Sequence, residues 1–569
     1  MSLTTCLCAF LLLLSSSSAE IFNKSWWNNT ILYQIYPKSF YDSNADGVGD
    51  LKGIISKLYY IADSDVNAIW LSPIYLSPMA NSGYDISNFT EIDPIFGTMD
   101  DYKALLVEAK KLGLKVILDF VPNHTSDEHI WFQKALQGDE KYKEYYIWAE
   151  GKNKDFKTPP NNWLSVSGGP AWTYADSLKR WYLHQFEYTQ PDLNYSNPAV
   201  VEEMKNILTF WLDTGIDGFR VDSAAFIFED KKLRDEPRSN AAGETPQDYE
   251  YLNHIYTTDQ IASYELFGSW RKYLDEYADQ HNQDQKLLVM EAYTSFPHTI
   301  EYYNYSVLPF NFEFIINVTA KSSAKYFKEK IDLWINSIPH DEVSNWVLGN
   351  PDNRRVASRF PGRLDQMTML SMILPGMTLT YNGDEIGMVD TDISWKETQD
   401  PKACNAGKDH YAAISRDPER TPFQWSAEEN AGFSTADSTW LPVNPNYKEL
   451  NLEREIRSDE SHYKIYKSLA YLHRKEPALT QGSYTSFTTN NNTVLGVIRS
   501  SDARTVLLLI NFEDDISQTV DLSDYNLPAI MKLKVASLGS RSSLKEWVDK
   551  KNIYLPEKAA LIYTSFNIQ

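Results

Sequence analysis

Carboxylates recur in this 569-residue chain at the ends of short apolar runs, with basic side chains close beside them. Asp119 closes LKVILDF, and Asn123 and His124 follow it; Arg220 and Asp222 close IDGFRVD; Glu291 follows LLVM, and Asp352 follows NWVLGNP. Arg220 and Asp222 are two residues apart, so an extended strand turns both to one face. A guanidinium there keeps Asp222 ionised and orients it as a nucleophile. Glu291, leaving an apolar strand, needs a raised pKa to serve as an acid. Such a pair is what glycosidic cleavage requires: one carboxylate attacks the anomeric carbon, and the other protonates the leaving oxygen and later activates water. A single Asp at a strand end is ordinarily a cap or a loop hydrogen bond. Several like charges converging on one cleft cost stability unless they do chemistry.

The elements that carry these groups alternate. Eight apolar runs, at 31–37, 68–75, 114–124, 216–224, 287–293, 308–316, 345–352 and 377–387, read as buried parallel strands. Helical patterns such as DDYKALLVEAKKLG and AVVEEMKNILTFWLDTG lie between them and close on glycine. The alternation predicts an α/β fold, a (β/α)8 TIM barrel, whose strand C-termini form the rim where catalytic groups gather. The third strand is followed by 125–196, too long for a plain loop and rich in Trp, Tyr, Gly and Pro. It reads as a small inserted domain over the barrel mouth. From 481 onward alternating runs such as TVLGVIRS and TVLLLINF predict a C-terminal antiparallel β-sandwich. The predicted order is thus a leader (1–19), barrel (20–124), insertion (125–196), barrel (197–480) and β domain (481–569).

Composition narrows the partners. A formal charge of -23 is repelled by phosphate backbones and anionic lipid, which argues against nucleic acid and suits a neutral substrate. The first nineteen residues carry an apolar run, Cys6 to Leu14, then small residues up to Ala19. That is too short to span a bilayer and predicts a cleaved secretory signal, hence an extracellular protein with no membrane anchor. Loss of Cys6 and Cys8 leaves Cys404 alone, so no internal disulfide is expected. Sequons at Asn23, Asn28, Asn88, Asn304, Asn317 and Asn491 fit a glycosylated product. The aromatic share is 14%, and Trp163, Trp172, Tyr174 and Tyr84 are expected to offer faces for sugar stacking at the mouth.

The motifs DFVPNHTS, GFRVDSAA, EAY and GNPD, in this order, resemble the four sequence regions of the α-amylase family of retaining glycoside hydrolases. QPDLNY (190–195) resembles the marker of its α-glucosidase and oligo-1,6-glucosidase branch, which includes insect-type maltases and sucrose hydrolases. The resemblance spans nearly the whole chain after the leader. It implies Asp222 as nucleophile, Glu291 as acid/base and Asp352 as the third carboxylate, holding sugar hydroxyls. It implies Arg220, His124 and Asp119 around the reacting sugar, and Tyr84, Asp85 and Arg416 gripping the terminal glucose. Ser223, directly after the nucleophile, points away from α-1,6 linkages and toward α-1,4 linkages and sucrose. One position departs: the family's fourth region reads Asn-His-Asp, and Pro351 stands in the place of that histidine without a side-chain donor.

The turn YDSNADGVGD places Asp42, Asn44, Asp46, Val48 and Asp50 at alternate positions around Gly47. Oxygen ligands so spaced wrap a hard cation, and the resemblance implies structural Ca2+ here, away from catalysis. The expected activity is therefore exo-hydrolysis of a terminal α-glucosyl residue from a small neutral sugar such as sucrose or maltose. Two alternatives stand beside it. One is a non-catalytic sugar-binding or receptor-type relative. The other is a transglucosylase or sucrose isomerase.

Overall fold

The computed structural model describes residues 26–153 and 157–566. The leader, Cys6, Cys8 and Asn23 lie outside them. Eight parallel strands form the centre: β1 (Ile31–Ile35), β2 (Ala68–Leu71), β3 (Lys115–Phe120), β4 (Gly218–Val221), β5 (Leu287–Met290), β6 (Leu308–Pro309), β7 (Asn345–Val347) and β8 (Met377–Tyr381). Neighbours in sequence are neighbours in the sheet from β1 to β6, β7 pairs with β8, and β8 returns to β1. Nearly every strand residue is buried, which explains why they read as continuous apolar runs rather than alternating ones.

Helices wrap this sheet: α1 (Leu51–Asp63), α2 (Met99–Lys111), α3 (Pro198–Asp213), α4 (Ile261–Gln280), α5 (Phe296–Glu301), α6 (Ala324–Ser337), α7 (Leu364–Ile373), which is buried almost all round, and α8 (His462–Lys475). Their starts are written locally. Asp50 accepts from Gly53 N to cap α1, Thr98 and Asp101 form a reciprocal capping box on α2, and Asn197 followed by Pro198 opens α3.

The sixth strand is the exception. The apolar run 308–316 reads as one long strand, yet only Leu308 and Pro309 pair, and Glu313–Ile316 is helical. Pro309 has no N–H to give a ladder, and the Asn311 side chain accepts from Glu313 N to start the helix instead. Between β6 and β7 a side chain supplies the bridge. Asn345 Oδ1 accepts from Asn311 N at 2.8 Å, and Asn345 Nδ2 donates to Pro309 O at 2.7 Å.

Segment 125–196 carries two short helices and a three-stranded antiparallel sheet (Trp148–Ala149, Arg180–Leu183, Trp172–Ala175). Its own core holds Trp163, Trp172 and Trp181. At the C-terminus a six-stranded antiparallel sheet faces a two-stranded ribbon (Gln518–Val520 with Ile553–Leu555), and Leu507, Leu509, Val520, Leu522 and Ile553 fill the space between. This sandwich is tied to the barrel by buried polar bonds. Gln366 donates to Asn511 O at 2.9 Å, and Arg499 donates to Ile373 O at 2.9 Å.

Asn345→Ala leaves the Asn311 N–H and the Pro309 carbonyl unpaired in the core, at roughly 1–3 kcal/mol for each group. The variant is expected to show a thermal midpoint several degrees below the parent, and an unchanged midpoint would show that Asn345 does not close the barrel.

Candidate active site

The rim residues sit where parallel strands end, around one cavity of ≈ 1790 Å³ lined by Tyr84, Asp222, Ser223, Glu291, Tyr293, Asp352 and Arg416 among others. Behind the lining residues Asp222 and Glu291 lies Arg220, 3% exposed. Its Nη1 donates to Asp119 Oδ1 at 2.8 Å and to Asp222 Oδ1 at 2.6 Å, while Nη2 stands 3.2 Å from Glu291 Oε2. Strand pairing produces this: Arg220 on β4 is register partner of Asp119 on β3 and of Val289 on β5, so the guanidinium sits between their ends. Gly218 lets β4 and β5 approach, since a Cβ there would lie 2.2 Å from Leu287 O. Trp70 Nε1 donates to Asp119 Oδ2 at 3.2 Å, and the Trp70 ring lies 5.0 Å from the guanidinium carbon.

Ser223 forms a second bridge. Its φ of 52° turns the chain into the left-handed region directly after Asp222, an uncommon conformation for a side-chain-bearing residue. That turn aims Ser223 N at Glu291 Oε2 (2.8 Å), while Ser223 Oγ donates to Asp222 Oδ2 (2.7 Å). Asp222 and Glu291 are thus linked twice, through Arg220 and through Ser223. Burial pushes the Glu291 carboxyl up to about 8 against the pull of Arg220, and the charges of Asp222 and Asp352 add to the rise. Burial likewise drives Asp119 upward, opposed by Arg220. Asp352 behaves oppositely. Burial works against its charge, but Arg420, Arg416 and Arg220 hold it below the usual carboxylate range. Arg420 Nη2 donates to Asp352 at 2.8 Å and Arg416 Nη1 at 3.1 Å.

Several expected contacts are placed differently. His124 lines the cavity, yet both ring nitrogens are engaged. Gln190 Oε1 accepts from Glu187 N, so its amide nitrogen donates to His124 Nε2 at 2.8 Å and the proton sits on Nδ1, toward Asn123 Oδ1, while Nε2 also lies 3.1 Å from Tyr84 O. Burial lowers this histidine to about 4, so it is neutral. Asp85 is buried and is not among the cavity-lining residues; its carboxylate accepts from Ser77 Oγ, Ala80 N and Asn81 N. It braces the loop that presents Tyr84. Arg416 faces the cavity but is committed to Asp352 and Asp400. Trp163 and Trp172 are interior to the insertion, stacked on each other with centroids 5.9 Å apart, and Tyr174 packs on Trp181. Of the four aromatic residues expected to stack on sugar, Tyr84 lines the cavity. Arg420, Asp400, Gln190 and Tyr293 were not singled out from sequence; Gln190 lies inside QPDLNY, Tyr293 inside EAY, and Arg420 four residues after Arg416.

The loop 42–50 is a turn closed on its own amides. Asp42 accepts from Asn44, Ala45 and Gly47 N, Asp46 from Val48 N, and Asp50 from Ser43 N and Gly53 N. Among the described residues no three His, Cys, Asp or Glu side chains converge as a metal-binding group. The oxygen chemistry of Asp42, Asn44, Asp46 and Asp50 suits a hard cation, but their present orientation does not gather it.

The catalytic-domain model described as "Alpha amylase, catalytic domain" matches residues 34–482, and the chain belongs to this family of glycoside hydrolases. It is 46% identical to Maltase 1 of Drosophila virilis over 551 residues, covering 95% of this chain and 87% of that one. It is 46% identical to an alpha-glucosidase of Apis mellifera over 499 residues, covering 87% of each. Among solved structures, that of the alpha-glucosyl transfer enzyme XgtA superposes with a TM-score of 0.83 at 30% identity, covering 95% of this chain and 99% of that one.

A reaction that uses Glu291 as its acid needs the proton in place, so its rate holds through neutral pH and falls as pH rises past about 8. The pH profile of kcat/KM tests this, and an alkaline limb below pH 6 would contradict the assignment.

Proposed function

We propose that this protein is a retaining exo-α-glucosidase that releases the terminal glucose of maltose- or sucrose-like sugars. The observation that carries the reading is the double bridge: one guanidinium and one serine each touch both Asp222 and Glu291. That tether favours the short separation of about 5–5.5 Å used by retaining enzymes over the 6.5–9.5 Å that admits a water between the groups. In the proposed sequence an Asp222 carboxylate oxygen attacks the anomeric carbon as the glycosidic oxygen leaves with the Glu291 proton. A β-glucosyl ester on Asp222 results. Glu291, now ionised, takes a proton from water, whose oxygen attacks the same carbon and frees α-glucose and the Asp222 carboxylate. Arg220 and Ser223 hold the two oxygens of Asp222 in place for attack, and Asp352, charged between two arginines, accepts from sugar hydroxyls. The names of the relatives, a maltase and an alpha-glucosidase, support this substrate class.

A second reading, transfer of the glucosyl group to another sugar, is favoured by the cavity. At ≈ 1790 Å³ it exceeds the roughly 300–1,000 Å³ of ordinary ligand pockets and has room for an acceptor. We take hydrolysis as the main course. A non-catalytic role is opposed by the intact pair, and among the described residues no helix is long and apolar enough to cross a membrane. Secretion is supported by the salivary alpha-glucosidases among the relatives, and glycosylation by the exposure of Asn28, Asn304 and Asn491.

The mature protein is expected to release glucose from maltose, sucrose or an aryl α-glucoside, with glucose exceeding transferred sugars in the product mixture. Asp222→Asn is expected to lower turnover by at least about 10³-fold, given how much a nucleophile contributes. Absence of glucose from all three substrates sinks the proposal. Calcium binding by 42–50 is also proposed, on the spacing of its oxygens; the ion would have to draw Asp46 away from Val48 N. EDTA should then lower the thermal midpoint and added Ca2+ restore it, whereas no change under either treatment counts against the ion.

A further inference from the structure

Tyr293 lies two residues after Glu291, lines the cavity and is 38% exposed, its ring stacked on Phe312 with centroids 4.4 Å apart. Its hydroxyl is held by the turn that carries Asp352. Asp352 N donates to Asn350 Oδ1 at 3.0 Å, and a backbone amide can only donate, so Asn350 Oδ1 is fixed as the acceptor. Asn350 Nδ2 is then the donor to Tyr293 Oη, at 2.8 Å. Asn353 Nδ2 donates to the same Asn350 Oδ1 at 2.9 Å, which fixes its orientation too, and it gives its second hydrogen to Tyr293 Oη at 2.8 Å. The phenol oxygen therefore accepts twice. Its own hydrogen remains, and among the described residues no protein acceptor is recorded for it.

That hydrogen sits in the wall of the cavity that Asp352 and Glu291 also line. The same turn offers no donor at position 351. Pro351 has no side-chain donor, and its carbonyl is taken by Arg420 Nε at 2.7 Å. His124, the other ring at this level, carries its proton toward Asn123. We propose that the Tyr293 hydroxyl donates a hydrogen bond to one hydroxyl of the sugar held beside Asp352, and so serves as a substrate-binding donor of the reacting subsite. This rests on the α-glucosidase reading and adds a residue to it. Two asparagine amides pre-set the direction of the O–H, so little rotamer freedom is lost when the sugar arrives.

The experiment compares wild type with Tyr293→Phe on an aryl α-glucoside and on its 2-, 3-, 4- and 6-deoxy analogues. Tyr293→Phe is expected to lower kcat/KM on the parent glucoside by roughly 10- to 100-fold. On one deoxy analogue the two enzymes should converge, because the hydroxyl that received the bond is gone. An unchanged rate on the parent, or an equal loss on the parent and all four analogues, overturns the proposal. If Tyr293→Phe does not fold, Asn353→Ala decides: releasing one of the two donors should give a smaller loss that disappears on a single deoxy analogue, and a loss shared by all five substrates again overturns it. A wild type that cleaves none of these glucosides defeats the enzymatic reading instead, and the two failures are thereby distinct.

Discussion

One guanidinium serves three carboxylates, and the site is arranged around that shortage of positive charge. Arg220 is buried at the junction of β3, β4 and β5, with Asp119, Asp222 and Glu291 all within 3.2 Å. A single cation cannot neutralise three anions in a poorly solvated pocket, so some carboxyl there must hold a proton. Glu291 has the longest contact with Arg220, and its carboxyl is pushed upward by burial. Asp222 has the shortest, reinforced by the Ser223 hydroxyl. The proposed division of labour, Glu291 as proton donor and Asp222 as nucleophile, thus follows from where one arginine points.

Asp352 stands outside this competition because it has its own cations. Arg416 and Arg420 both contact it, and Arg416 is in turn anchored by Asp400, whose carboxyl these arginines hold far below its ordinary value despite burial. Two charge groups therefore face each other across the cavity. One is short of cations and keeps a proton, and in the other two arginines offset Asp352 and Asp400 and hold Asp352 ionised. A neutral sugar can lie between the two without importing charge of its own, which fits a chain whose overall charge is -23.

The sequence made the barrel legible because buried parallel strands leave unbroken apolar runs, and their ends name the rim. It failed at 308–316, where composition favoured a strand but a proline and an asparagine controlled the hydrogen bonds. Asp119, Arg220, Asp222 and Glu291 were readable because their positions on strand ends fix their direction. Asp85, His124 and Arg416 were harder, because each lies on or against a loop and its orientation depends on partners far along the chain. Gln190, for example, decides which nitrogen of His124 carries the proton from 66 residues away. The same limit misled the aromatic expectation: Trp163 and Trp172 have the residue type for sugar stacking, but a small insertion needs its large side chains to make a core.

Pro351 shows what such distant partners can substitute for. As a lone replacement it removes a donor, and by itself that would weaken the grip on the sugar. In its turn it does something else. A fixed φ stiffens the link between Asn350 and Asp352, and Asn353 N closes back on Asn350 O at 3.4 Å. The Asn350 side chain can then bond Asp352 N and Tyr293 together, joining the carboxylate on the β7 loop to the segment that carries Glu291. A rigid turn of this kind exchanges one flexible side-chain contact for a wall whose donors are set before substrate enters. Donors fixed in this way lose little freedom when a sugar arrives, because the ordering is done by folding rather than by binding.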